Sequence, residues 1–353
     1  MKRKVIVAMS GGVDSSVTAS LLKEQGYEVV GVTMQVWPEA RLESDFGGCC
    51  SLSAVEDARA VAFKLDIPHY VLNFRKIFDE KVVDNFCQEY LAGRTPNPCV
   101  RCNQYIKFEV LLKKAISFKA DFVATGHYAR IEQTKNGDFK LKKGLDTKKD
   151  QAYFLYTLTQ DQLKHSLMPL GKLTKEKVRK MAKQLNLKVA QKPESQEICF
   201  VEDNDYRSFI KKRFPEIVGE GPIFNSQGEK IGLHKGIVHY TVGQRKGLGL
   251  TTAKPFYVVK IDEKNNAITV GEEKNLFKKE LVVKDAHLII PLRKVKSRVF
   301  AQVRYNSLPT KAQLIQENGL IRIIFDKPQK AISPGQSVVF FDEDTVLGGG
   351  IIA

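Results

Sequence analysis

Two short stretches and one distant thiol hold the residue types able to do chemistry. Ser10-Gly11-Gly12-Val13-Asp14-Ser15-Ser16 lies between an apolar run at 4–9, ending in Ala8-Met9, and a helical pattern from Ser16 to Gln25. The glycines let backbone N–H groups approach an anion closely, the helix N-terminus adds a favourable dipole, and Ser10, Ser15 and Ser16 add hydroxyls. Such a loop suits a phosphate. Asp14 would repel a bare phosphate, so N-capping, or indirect contact through Mg2+, is its expected task. A tight turn using glycine for geometry alone is the competing reading.

Thr95-Pro96-Asn97-Pro98-Cys99-Val100-Arg101-Cys102-Asn103 is the second stretch. Two prolines stiffen it, and a helix is expected to begin shortly after. Cys102, beside Arg101 and close to that helix's start, is placed to favour thiolate. The distant thiol is Cys199, in Pro193-Glu194-Ser195-Gln196-Glu197-Ile198-Cys199-Phe200. A CxxC with a distant Cys fits half a zinc site, a redox pair or a sulfur-handling centre. The adjacent pair Cys49-Cys50 fits no common zinc spacing. Cys87 reads as a buried, inert thiol. His234 and His239 have no partner pattern for a metal.

The elements that must position these residues alternate. Strands are expected at 4–9, 27–36, 68–74 and 121–125, and helices at 16–25, 53–65, about 75–91 and about 106–118. Strand–helix alternation predicts a doubly wound parallel sheet, which binds ligands at the carboxyl ends of its strands. After about Asp203 the pattern changes. A Gly-punctuated stretch at 228–249 precedes strands at 256–261 and 267–271, with the turn residues Asn265-Asn266 between them. Short strands then recur at 299–305, 313–316, 320–325 and 337–341, as in a small antiparallel barrel. The expected order is an α/β domain at 1–203, a Gly-rich connecting domain at 204–276 and a C-terminal β-barrel at 277–353.

The 353 residues suffice for two or three domains at roughly 150 residues each. Lys and Arg exceed Asp and Glu by 56 to 40, a net charge of +16, which suits a polyanionic partner. Lys211-Lys212-Arg213, Lys278-Lys279 and Arg293-Lys294 with Lys296 could track phosphates, although each alone reads as a solvated face. The apolar run near the N-terminus is too short for a signal peptide or membrane span, so a cytoplasmic protein is expected.

The phosphate loop has neither the Gly-Lys-Ser/Thr of a Walker loop nor a G-x-G-x-x-G fingerprint. It resembles the S-G-G-x-D-S-S loop of the PP-loop ATP pyrophosphatases, with their adenine nucleotide alpha hydrolase-like fold. T-P-N-P-x-x-x-C-N at 95–103, T-G-H-Y at 125–128, K-D-Q-x-Y-F at 149–154, E-S-Q-E-I-C-F at 194–200, H-Y-T-V-G-Q-R-K-G-L at 239–248 and Ser333-Pro334-Gly335-Gln336 extend the likeness over nearly the whole chain. The ordered set is similar to the tRNA-specific 2-thiouridylase family.

That resemblance implies ATP bound by Ala8, Met9, Ser10, Gly11, Gly12, Val13, Asp14 and Ser15, with Met34 and Gly126. It implies Cys102 as nucleophile and Cys199 as persulfide carrier. It implies contacts with tRNA for Lys, Glu and Gln, and none with DNA, at His127, Lys149, Asp150, Gln151, Arg304, Tyr305 and Gln336, with Asn97, Pro98 and Cys99 near the target base. A sulfur-relay protein would load the persulfide. Lys149-Asp150-Gln151 could equally be a plain surface turn. Many family members have Asp where this chain has Cys99. Cys99, Cys102 and Cys199 therefore also resemble the thiolate set of [4Fe-4S]-dependent thiouridine synthetases. The persulfide route is preferred; another adenylating PP-loop synthetase, and a noncatalytic RNA-binding protein with a zinc-stabilised loop that would leave the phosphate loop unexplained, are the remaining alternatives.

Overall fold

The structure is a computed structural model that describes residues 2–36, 52–193, 198–201, 205–216, 219–250, 254–291, 297–317 and 319–353. Cys49, Cys50, Glu194–Glu197 and the basic residues Arg293, Lys294 and Lys296 lie outside them. Contacts divide the chain into two compact units. No helix among the described residues is long and apolar enough to cross a membrane.

The first unit comprises Met1–Val82, Cys99–Asn204 and Asp344–Val346. Its centre is a parallel sheet of β1 (Lys4–Ala8), β2 (Glu28–Gln35), β3 (His69–Asn73), β4 (Phe122–Ala124) and β7 (Ser166–Leu167), in the order β3-β2-β1-β4-β7. Val5, Ile6 and Val7 of β1 are all buried, as a central strand covered on both faces requires. Val5, Val7, Met9 and Val29 meet apolar residues of α1 (Val13–Glu24), α2 (Leu52–Lys64) and α8 (Lys175–Gln184) in one core. A hairpin of β5 (Ala129–Gln133) and β6 (Phe139–Lys143) leaves this sheet, and Thr345 and Val346 pair with β6.

Three local expectations change. Gly12, not Asp14, is the N-cap of α1, so the helix starts at Val13 and Asp14 lies in its first turn. The helix expected over 75–91 is α3 (Arg75–Phe78), a π-helical turn at Asp79–Val83, then α4 (Asp84–Leu91). The helix expected from about 106 starts earlier, as α5 (Pro98–Arg101), because proline at a helix start loses no N–H that the helix would use. It continues as a π-helical run, Cys102–Val110, and then α6 (Leu111–Ser117). α7 (Gln160–Lys164) is closed at its start by a reciprocal Thr159–Gln162 capping box.

The second unit comprises Val83–Pro98, Asp205–Glu343 and Leu347–Ala353. Here α4 packs on α9 (Tyr206–Arg213): the rings of Tyr90 and Tyr206 stack at 4.5 Å and Arg213 meets Asp84 at 2.6 Å. A four-stranded sheet runs β10 (Tyr257–Asp262), β11 (Ala267–Gly271), β8 (Gly221–Phe224), β9 (Lys230–His234). Then come β12 (Phe277–Leu288), β13 (Arg298–Gln302), β14 (Thr310–Glu317), β15 (Leu320–Lys330), β16 (Ser337–Asp342) and β17 (Thr345–Ile352). Antiparallel pairing of β12 with both β15 and β17 closes these six into a barrel. Alternate residues, such as Val299, Ala301, Ile321, Ile323 and Phe325, fill it.

Candidate active site

The loop after β1 shows why its residues are glycines. Gly11 has φ +66°, and a Cβ there would lie 2.2 Å from the Ala54 carbonyl oxygen on α2. Gly126, after β4, packs so closely that a Cβ would lie 2.9 Å from the Asp14 backbone. The serines brace the loop internally. Ser15 Oγ and Ser16 Oγ donate to the Gly12 carbonyl at 3.1 and 2.9 Å, and the Ser10 N–H donates to Ser15 Oγ at 3.2 Å. Gly12, the N-cap, has no side chain to cap the helix, so the first N–H groups of α1 suit an anion. Ala8 and Met9 are buried beneath the loop, and Met34, half-buried on β2, pairs with Leu72.

Asp14 is neither a cap nor an open metal ligand. Lys175 Nζ, from the start of α8, donates to both of its oxygens at 2.8 Å, and Tyr128 Oη donates to Oδ1 at 2.8 Å. Lys175 is a buried lysine, 8% exposed. Paired in this way, the carboxylate no longer opposes a phosphate, and a cation is fixed beside the loop. Sequence reasoning missed both Lys175 and the hydroxyl of Tyr128. T-G-H-Y was visible as a motif, but no local signal ties residue 175 to residue 14.

Cys102 opens the π-helical run and is half-buried, whereas Cys99, one turn earlier, is exposed. Arg101 bonds Gln104 and lies over the Tyr105 ring. Cys199 is half-buried in a turn closed by Val201 N–H to Ile198 C=O at 3.0 Å, and its neighbour Phe200 packs edge-on against Phe78 at 5.8 Å. Cys87 is buried, as expected. Among the described residues, no three His, Cys, Asp or Glu side chains converge to hold a metal ion. Cys99, Cys102 and Cys199 are accordingly not gathered into such a group in this structure. An iron–sulfur cluster needs its thiolates to face one cavity, and Cys99 faces solvent.

The residues expected to contact RNA are differently placed. His127 is buried, with Nδ1 2.7 Å from Thr125 Oγ1, and burial with nearby Lys107 holds its imidazole well below the usual range. Lys149 is half-buried, while Asp150 accepts backbone N–H groups of Gly144 and Ala152 at 2.8 and 3.2 Å. Burial pushes the Asp150 carboxyl up, against those two donors. Gln151 bonds the backbone of Tyr128. In the second unit, Gln336 Nε2 donates to the carbonyls of Thr95 and Pro96 at 3.0 and 3.1 Å, next to Asn97 and the buried Pro98. Arg304 donates to the Lys330 carbonyl, and the Tyr305 carbonyl accepts from Gln302.

A parallel sheet with a glycine-rich anion loop at the carboxyl end of its first strand, faced by Gly126 after β4, defines an α/β nucleotide-binding domain of the PP-loop class. Family models described as the tRNA methyl transferase HUP domain, the tRNA methyl transferase PRC-barrel domain and the aminomethyltransferase beta-barrel domain match residues 3–203, 207–272 and 278–352. The chain is 54% identical to the tRNA-specific 2-thiouridylase MnmA of Acetivibrio thermocellus, over 99% of both chains. It is 52% identical to the protein of the same name from Clostridioides difficile, over 100% of this chain and 98% of that one. The chain belongs to the tRNA-specific 2-thiouridylase family.

Proposed function

We propose that this protein is an ATP-dependent tRNA-uridine 2-sulfurtransferase of the cytoplasm, acting on the wobble uridine of tRNAs for Lys, Glu and Gln. The observation that carries this reading is that one compact unit holds both an anion loop whose carboxylate is paired with a lysine and two half-buried thiols, Cys102 and Cys199. The residues from Ala8 to Ser15, with Met34 and Gly126, bind ATP. His127, Lys149, Asp150, Gln151, Arg304, Tyr305 and Gln336, with Asn97, Pro98 and Cys99, form or shape the tRNA surface. The functional division is 1–203, 204–276 and 277–353.

The 2-oxygen of uridine is a poor leaving group. In the first step it attacks the α-phosphorus of ATP, and pyrophosphate departs. In the second, the terminal sulfur of a Cys199 persulfide attacks C2 of the base, and AMP departs with the oxygen. Cys102 thiolate then attacks Cys199 Sγ, which releases the 2-thiouridine and leaves a Cys102–Cys199 disulfide. A cellular thiol reductant and a sulfur-relay protein restore the persulfide. The base must leave the anticodon stack to be reached. Asp14, with both oxygens bonded to Lys175, does not fit a Mg2+ ligand, so Mg2+ would arrive as counter-ion of the substrate's phosphates.

Mass analysis of nucleosides from tRNA incubated with ATP, a persulfide-carrying sulfur donor, a thiol reductant and protein tests this reading. Cys199→Ala and Cys102→Ala should each abolish 2-thiouridine formation with ATP affinity kept within twofold. Undiminished thiolation by Cys199→Ala would sink the persulfide route.

A further inference from the structure

Asp14 is held by two partners, and both are placed by one short segment, 144–151. Tyr128 is gripped by Gln151 at two points. The Gln151 N–H donates to the Tyr128 carbonyl at 3.0 Å, and the Tyr128 N–H donates to Gln151 Oε1 at 3.1 Å. Lys175 is gripped by Asp146, whose Oδ2 accepts the Lys175 backbone N–H at 2.9 Å. Asp146 and Asp150 in turn fold the segment: Asp146 Oδ1 accepts from Lys148 N–H at 3.1 Å, and Asp150 Oδ1 from Gly144 and Ala152. The ammonium of Lys175 also lies 5.8 Å from the centre of the Tyr128 ring, so the two partners support one another.

We propose that the turn containing Asp146 and Gln151 is the positioning element of the nucleotide loop, fixing Tyr128 and Lys175 so that Asp14 is neutralised before ATP arrives. The proposal rests on the loop being the ATP site. A carboxylate in the first turn after such a loop repels a polyphosphate unless a cation and a donor are already in place, and forming that pair on binding would cost affinity. Asp150 and Gln151 are thereby positioning residues, with Asp150 Oδ1 and Gln151 Oε1 committed to the backbone of the segment and of Tyr128.

Calorimetric titration of the full chain with ATP, without RNA, tests this. Gln151→Ala and Tyr128→Phe should each weaken ATP binding by about tenfold, and the double variant should be no weaker than about the worse single one, because both act through one chain of bonds. Gln151→Glu keeps an acceptor for the Tyr128 N–H and should recover most of the affinity. In turnover, the rise in KM for ATP in Gln151→Ala should exceed any fall in kcat at saturating ATP and tRNA, whereas general damage to the fold would lower kcat instead. An ATP affinity within twofold of the parent, or losses that multiply in the double variant, would overturn the proposal. So would a loss confined to tRNA affinity, which would make the turn an RNA contact only. An unaltered chain that takes up no ATP would instead remove the underlying ATP reading.

Discussion

At His127 the imbalance between burial and charge has a measurable consequence. The ring lies beside Phe108, with centroids 6.0 Å apart, and its desolvation keeps it unprotonated well below the ordinary pKa of 6.5. As pH falls through that ordinary value the unfolded chain takes up the proton while the folded chain does not, so stability held above about pH 6.5 drains away below it. His69, His234 and His239 are lowered for the same first reason, burial, and act in the same direction. The unfolding free energy from urea titration should therefore fall as pH drops below about 6.5, by up to about 1.4 kcal/mol per pH unit for each fully shifted histidine. His127→Gln should shrink that fall, and an identical pH slope in the variant would place the effect elsewhere. Legibility at this scale divided by range. Ser10 to Ser16 could be read because their chemistry is contiguous. The partner of Asp14 lies 161 residues away, and neither periodicity nor composition reports such a pair.

At the scale of elements, Gly11 ties β1, α1 and α2 together. Gly11→Ala must relieve both a φ of +66° and a Cβ 2.2 Å from the Ala54 carbonyl, so α2 or the loop has to move. Unfolding free energy should drop by about 1–3 kcal/mol in denaturant titration, with ATP binding lost. Retention of both would mean that the loop is softer than its packing implies. The strands and helices of the sheet were legible because buried parallel strands are continuous apolar runs and α1 and α2 have local stop signals. The rest failed for identifiable reasons. A π-helical turn such as Asp79–Val83 inserts no composition signal into an otherwise helical pattern. β6, Phe-Lys-Leu-Lys-Lys, hides its alternation in lysine, and β7 is two residues long. The start of α5 at Pro98 was obscured by reading the prolines as loop residues.

For the molecule as a whole, the net charge of +16 is the property that tRNA would meet first. If six phosphates are neutralised on binding, affinity should fall by about a thousandfold between 50 and 200 mM salt. Filter binding of the tRNA across that range checks this, and a nearly flat dependence would deny the basic surface a role. A different consequence follows from the way Asp344 is used. Its carboxylate bonds Arg130 at 2.6 Å and Lys142 at 3.1 Å, and Thr345 and Val346 pair with β6, so the first unit borrows three residues from near the far end of the chain. A ribosome that has made the whole α/β segment has therefore not yet made the clasp on its β5–β6 hairpin. A fragment cut after residue 203 would leave Arg130 and Lys142 to share Glu132 alone and would bare the edge of β6, a poor starting point for anyone wishing to study the nucleotide site alone.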